Sequence, residues 1–442
     1  MDIAIISEHA SPVGAIGGTD AGGQNVYVAQ LARHLARLGH KVDVFTRKDS
    51  RYIPIVQDIP EGYRLISVPA GPQDILPKEK LLPHMKDFTD FMISFIKKRN
   101  RKYDVIHSNF WMSGLVAADI KKALGIPFAV TFHALGRVRR LHQGKDDGFP
   151  DQRFVIEDRV VAEADDIIAE CPQDYDDLVN LYNAPEESIS IVPCGFDKEE
   201  MYPLNKNEAR KFIGVDPGSE IILHLGRMVP RKGAENVIRG FARYYKEQKK
   251  NSKLIIVGGE SDKPDPVKTP EIGRLMSFAE EEGISKQVIF TGRKSRGVLR
   301  YYYSAADVFV TTPWYEPFGI TPVEAMACGT PVIGSEVGGI KYTVEHNATG
   351  LLVPPENPFA LKDALIKVLG NKQLREKFSK SSRERANIHF RWEVMAEKIE
   401  EVLLNRVHQL KAEKIIFHEE NNLFIPMNIE GVQNAITKSV IG

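Results

Sequence analysis

Cysteine is scarce: three occur in 442 residues, Cys171, Cys194 and Cys328. They lie far apart and form none of the close pairs that a zinc site needs, and they predict a reducing, cytoplasmic compartment. Excess charge of one sign is also missing, since 59 Lys and Arg balance 59 Asp and Glu. No net field then favours a nucleic-acid backbone or an anionic membrane, and any anionic ligand must be held by local groups. No apolar run reaches membrane-spanning length, which predicts no stable membrane insertion. The apolar stretch 3–6 follows Asp2 directly, without the basic segment or cleavage site of a leader. None of the 12 histidines falls in a His-Glu-x-x-His pattern, so a metal-bound water has no support. The Gly-x-Gly-x-x-Gly of a nicotinamide site is absent as well.

What is present is an ordinary globular composition, 43% hydrophobic and 27% charged, long enough for roughly two to three domains. Short Val- and Ile-rich runs alternate with longer amphipathic segments, the pattern of parallel sheets covered by helices on both faces. One series of strands is expected at 3–7, 42–46, 105–108, 129–132, 167–169 and 189–192, with a helix over 23–38. A second restarts at 221–225 and continues at 254–257, 288–290, 308–311 and 332–334. The fold class is therefore α/β, with two doubly wound, Rossmann-like domains facing a cleft. Residues 196–207 read as the linker between a domain over 1–200 and another over 201–390. A helical segment covers about 392–410, and the remainder to 442 shows no periodicity.

Chemistry concentrates where strands end. Glu316-Pro-Phe-Gly-Ile-Thr-Pro-Val-Glu324 sets two carboxylates around a glycine turn that opens a helix, the layout of a sugar-nucleotide site. Thr321 is expected as N-cap with Pro322 at the first helical position, leaving the amides of Phe318, Gly319 and Ile320 near the positive helix end. Thr321 with Glu324 also reads as a plain capping box, whereas a charge at Glu316 has no structural need. After the strand 221–225 come Arg227 and Lys232, two cations suited to a departing diphosphate. Gly22 and Gly23 open a helix after a loop holding Gly14, Gly17 and Gly18, where a diphosphate can approach the amides. His133 follows a strand and belongs at the cleft mouth, beside the basic run Arg137 to Arg140. Asp174-Tyr-Asp176 has the Asp-x-Asp form of metal-dependent glycosyltransferases, but acids in a helix first turn complement its dipole, so no metal is expected.

Taken together, Glu316 to Glu324, Gly226-Arg227 with Lys232-Gly233, and Cys328-Gly-Thr-Pro-Val-Ile333 followed by Gly338-Gly339 resemble the retaining nucleotide-sugar glycosyltransferases of family 4, which have the two-domain GT-B fold. Over about residues 1–410, Asp20-Ala-Gly-Gly-Gln-Asn-Val-Tyr-Val28, Ala70-Gly-Pro72 and His107-Ser-Asn-Phe-Trp111 look like the branch holding D-inositol-3-phosphate glycosyltransferase and the sucrose-phosphate synthases.

The resemblance implies an N-terminal acceptor domain, a C-terminal donor domain and a last helix crossing back to the first. It implies a nucleoside diphosphate sugar as co-substrate, a UDP-sugar being favoured, with no other cofactor. Gly23, Arg227 and Lys232 would hold the diphosphate, Glu324 the ribose, and Glu316 with the amides of Phe318 to Ile320 the donor sugar, with His133 near the reacting carbon. Asn25, Lys78 and Arg153 would hold the phosphate of a phosphorylated acceptor. Phe110 and Ala134 depart from the pattern, standing where an inositol-phosphate enzyme offers a tyrosine and a threonine hydroxyl. A sugar-nucleotide epimerase, a peripheral membrane enzyme with a lipid acceptor and a non-catalytic binding module stay open as readings, as does a homodimer.

Overall fold

The computed structural model describes residues 1–13, 22–144 and 147–422; Gly14, Gly17, Gly18 and Asp20 lie outside them. Two sheets form. The first holds β1 (Asp2–Ile6), β2 (Lys41–Arg47), β3 (Val56–Asp58), β4 (Arg64–Val68), β5 (Val105–Asn109), β6 (Phe128–Thr131), β7 (Asp166–Ala169) and β8 (Ile189–Ile191), in the order β3-β4-β2-β1-β5-β6-β7-β8. The second holds β9 (Glu220–Leu225), β10 (Ser252–Val257), β11 (Val288–Phe290), β12 (Val308–Thr311), β13 (Val332–Ser335) and β14 (Gly350–Val353), in the order β11-β10-β9-β12-β13-β14. Neighbours are parallel except β3 against β4. The sequence reading did not single out β3, β4 or β14.

Burial follows the period of two that a strand imposes. Ile3 and Ile5 of β1 enter one apolar cluster and Ala4 and Ile6 another; Ile221 and Leu223 of β9 likewise part from Ile222. Strands covered on both faces have no polar side to show, which is why they read as unbroken apolar runs.

Among the parallel strands of each sheet the order reverses once, between β1 and β5 and between β9 and β12. The crevice beyond the carboxyl ends of such a pair is where ligands bind in open parallel sheets. The four segments that leave these strands carry Gly22–Gly23, Phe110, Arg227–Lys232 and Glu316.

The last helix, Trp392–Asn422, crosses the first sheet's helical face. Trp392, Met395, Ala396, Ile399 and Leu403 are buried, and the Trp392 ring meets Tyr27 edge-on at 5.9 Å. Polar ties fix it further along: Glu400 Oε1 lies 2.6 Å from His40 Nε2, and Arg406 Nε 2.9 Å from Asp166 Oδ2. Among the described residues no helix is long and apolar enough to cross a membrane.

Candidate active site

The site is assembled from β9 outward. Its strand ends at Leu225, and a short turn, Pro230–Lys232, returns the chain to the helix Ala234–Gln248 through Gly233. Gly233 has φ 71°, and a Cβ there would overlap the Thr312 carbonyl oxygen. Only glycine lets the two loops close on each other, and that closure sets Lys232 against Glu316. Lys232 Nζ donates to Glu316 Oε2, with 18% and 13% of the side chains exposed. Burial pulls the Lys232 ammonium down to about 8, partly offset by Glu316. Burial by itself would raise Glu316, but Lys232, Arg231 and Arg227 outweigh it and hold the carboxyl below its ordinary value. We take the pair as ionised at neutral pH because each partner, at hydrogen-bonding distance, stabilises the other's charge.

The turn carrying Glu316 rests on the Gly338-Gly339 pair. Gly339 N donates to Glu316 O at 3.0 Å, and a Cβ on Gly339 would overlap Phe318 Cα. Phe318 is buried against Phe390, 5.9 Å between rings. The following helix starts two residues earlier than expected, at Ile320, with Gly319 as N-cap at φ 95° and no side-chain cap. Thr321 is therefore inside the helix and makes no capping box. Glu324 lines the same cleft with other partners: Tyr303 Oη donates to its Oε2 at 2.9 Å and Arg296 lies 2.9 Å from its Oε1.

The first sheet supplies the opposite wall. Gly22 is the N-cap of the helix Gly23–Arg37; a Cβ on Gly22 would lie 3.4 Å from the Arg227 side chain, and one on Gly23 3.4 Å from Ile320. The two halves of the cleft thus meet at the helix amides. Asn25, expected at an acceptor phosphate, lines the cleft and also caps that helix: its Oδ1 accepts from Gly22 N at 2.9 Å and its Nδ2 donates to Ser11 O at 3.0 Å. Lys78 lines the cleft from the turn Lys78–Lys80. Arg153 does not line it. Its guanidinium is 1% exposed, donates to Glu157 Oε1 at 2.7 Å and to Ala134 O, and lies 5.1 and 4.7 Å from the rings of Phe110 and Phe149. Phe110, Ala134 and Phe149 line the cleft in front of it.

His133 stands beyond β6 in a left-handed conformation, φ 59°. Its Nδ1 lies 2.9 Å from Glu170 Oε1 and its Nε2 3.0 Å from Asn109 Oδ1. Glu170 also accepts from Cys194 Sγ at 3.0 Å. Burial, then the Glu170 charge, pushes the Cys194 thiol up, so it stays a donor. Asp174 Oδ2 accepts from Glu170 N at 3.0 Å.

Two family models match the chain, Glycosyltransferase Family 4 over residues 21–200 and Glycosyl transferases group 1 over 205–385. The D-inositol 3-phosphate glycosyltransferase of Corynebacterium diphtheriae is 32% identical over 407 residues, 91% of this chain and 94% of that protein. The chain belongs to the family 4 glycosyltransferases of GT-B fold. The sucrose-phosphate synthase of Thermosynechococcus elongatus superposes with a TM-score of 0.84 at 33% identity, covering 93% of this chain and 99% of that one. Anabaena HepE, solved in complex with UDP-glucose, shares the fold with a TM-score of 0.70 at 19% identity, over 92% of this chain and 100% of that one.

Several residues that line the glycosyltransferase cleft escaped the sequence reading. Arg231, Gly258 and Arg296 border it from the second sheet's side, and His9 and Glu170 from the first. Gly258, at the end of β10 with its neighbour Gly259, carried a readable signal, a glycine pair at a strand end. Arg296 and Glu170 did not, because their partners lie 28 and 37 positions away in sequence.

Proposed function

We propose that this glycosyltransferase moves a hexosyl group, with retention at the anomeric carbon, from a UDP-sugar to a hydroxyl of a phosphorylated sugar. The observation that carries the reading is the Lys232–Glu316 pair, set with Arg227 and Arg231 against the amino end of the Gly23–Arg37 helix. In this reading residues 1–200 bind the acceptor, 201–390 bind the donor, and 391–442 include the helix that crosses back. Arg227, Lys232 and the amides at Gly22 and Gly23 hold the diphosphate. Glu324 takes the ribose hydroxyls beside Arg296, and Glu316 with the amides of Phe318, Gly319 and Ile320 takes the donor sugar. His133 borders the reacting carbon.

As the bond to diphosphate breaks, negative charge grows on the leaving oxygen, and oriented cations and amides stabilise it without reorganising. Those cations supply the charge that a metal would otherwise bring, so no metal enters the reading. The acceptor hydroxyl attacks from the face the diphosphate is leaving, and the leaving phosphate takes its proton. Closure of the cleft keeps water from competing.

The names of the relatives point to a phosphorylated polyol or sugar as acceptor. The structure favours the sugar, because Phe110 and Ala134 offer no hydroxyl and Arg153 is sealed behind Phe110 and Phe149. Lys78 and Arg139 line the cleft as cations for an acceptor phosphate, and Arg153 acts by fixing the wall. Three buried free thiols suit a reducing cytoplasm.

The test is nucleoside diphosphate release, with product mass, from UDP-glucose, UDP-N-acetylglucosamine and GDP-mannose, each with and without fructose 6-phosphate and inositol phosphate. Release that requires fructose 6-phosphate is expected. Donor conversion without any acceptor would move the chain to epimerase chemistry.

A further inference from the structure

We infer that Glu170 is a positioning residue for glycosyl transfer, clamping His133 at the reacting end of the cleft and adding a negative charge there. The inference rests on the transferase reading above.

Glu170 follows β7 and is 3% exposed, yet it lines the cleft. A buried carboxylate is expensive to keep unless it is used or fully paired. Here the pairing is lopsided. His133 Nδ1 and Cys194 Sγ both meet Oε1, at 2.9 and 3.0 Å, and no described residue donates to Oε2. Asp174 fixes the Glu170 backbone by accepting from its amide. The carboxylate is therefore held still by its surroundings, while one of its oxygens stays without a protein donor.

The other nitrogen of His133 is equally constrained. Asn109 Nδ2 donates to the carbonyls of Ile6 and His107, each at 3.3 Å, which turns Oδ1 toward His133 Nε2. Tyr27 meets the imidazole edge-on at 4.7 Å. A ring fixed at both nitrogens and on one side keeps one orientation, and fixed orientation is what a group beside a reacting carbon must have. When the donor sugar loses its diphosphate, positive charge spreads over its ring, and an immobile carboxylate nearby stabilises that charge more than it does the neutral donor.

The test uses the full chain and its acceptor-dependent activity. Glu170→Gln keeps the shape and removes the charge. It is expected to lower kcat about 10- to 100-fold with donor KM within about twofold, and to leave UDP affinity unchanged. In a His133→Ala background the same change is expected to lower kcat clearly less, because the share that runs through His133 is already lost and only the share from the charge remains. Glu170→Asp, which keeps the charge but draws it back by a methylene, is the second variant should Gln not fold, and is expected to lose kcat with normal UDP binding.

Full kcat in Glu170→Gln, an equal loss in both backgrounds, or a loss of UDP binding that follows a falling Tm would each overturn the inference. Absence of acceptor-dependent release in the wild-type protein would instead sink the transferase reading itself, so the two failures are distinct.

Discussion

Replacing Lys232 by Ala removes a cation and strands its partner, and the two consequences can be separated. On catalysis, loss of one preorganised charge at a developing oxyanion costs about 3 to 4 kcal/mol, a fall in kcat of roughly 100- to 1000-fold. On stability, Glu316 is left as a carboxylate only 13% exposed. A fully buried orphan of this kind costs about 3 to 5 kcal/mol; Arg231 and Arg227 still face Glu316, so about 2 kcal/mol is the better figure here. For a unit the size of the second sheet and its helices that is a Tm lower by roughly 4 to 8 °C.

Adding Glu316→Gln to Lys232→Ala removes the stranded charge. The double variant should recover most of the lost Tm while its kcat stays down, since neither the cation nor the sugar-binding carboxylate is restored. Differential scanning fluorimetry reads the first quantity and nucleoside diphosphate release the second. Recovery of turnover together with stability would mean that the pair merely braces the loops and that Lys232 does not meet the diphosphate.

The buried ammonium of Lys232 gives a pH signature: with its value near 8, kcat/KM should fall as pH rises through about 8, and Lys232→Arg should move that limb beyond about pH 10. A profile flat to about pH 9.5 would refute it. The linked stability has the opposite sign, because a folded-state value below the ordinary 10.5 means that the unfolded chain holds more protons, so this group alone makes stability rise between about pH 8 and 10.5. Gly233→Ala combines φ 71° with an overlap on Thr312 O and should destabilise by at least about 2 kcal/mol in urea unfolding; wild-type stability would show that the loops relax apart. Arg296→Met leaves Glu324 with Tyr303 alone and should weaken UDP binding about 10-fold by calorimetry; unchanged affinity would place the ribose elsewhere. Trp392→Ala empties a fully buried position and should cost about 3 to 5 kcal/mol, detected as an early loss of Tm.

The sequence by itself determined the class of fold and the principal charged groups of the cleft. Period-two burial leaves a local trace in every strand covered on both faces, so β1, β2, β5 to β13 could be placed from apolar runs alone. Motifs such as Lys232-Gly233 and Glu316 to Glu324 are local as well: their residues adjoin strand ends and the turns are written in glycine. Short or edge strands leave weaker traces, and β3, β4 and β14 were passed over. Only the tertiary structure decided which groups meet. It set Lys232 on Glu316 across 84 residues, put Arg296 beside Glu324, began the Ile320–Ala327 helix at a left-handed Gly319 rather than at Thr321, turned Asn25 into a helix cap, sealed Arg153 behind two aromatic rings and tied His133 to Glu170. The reason is physical: backbone periodicity and turn preference act over a few residues, whereas a buried charge finds its partner through the packing of distant loops, and no pattern in the chain records that distance.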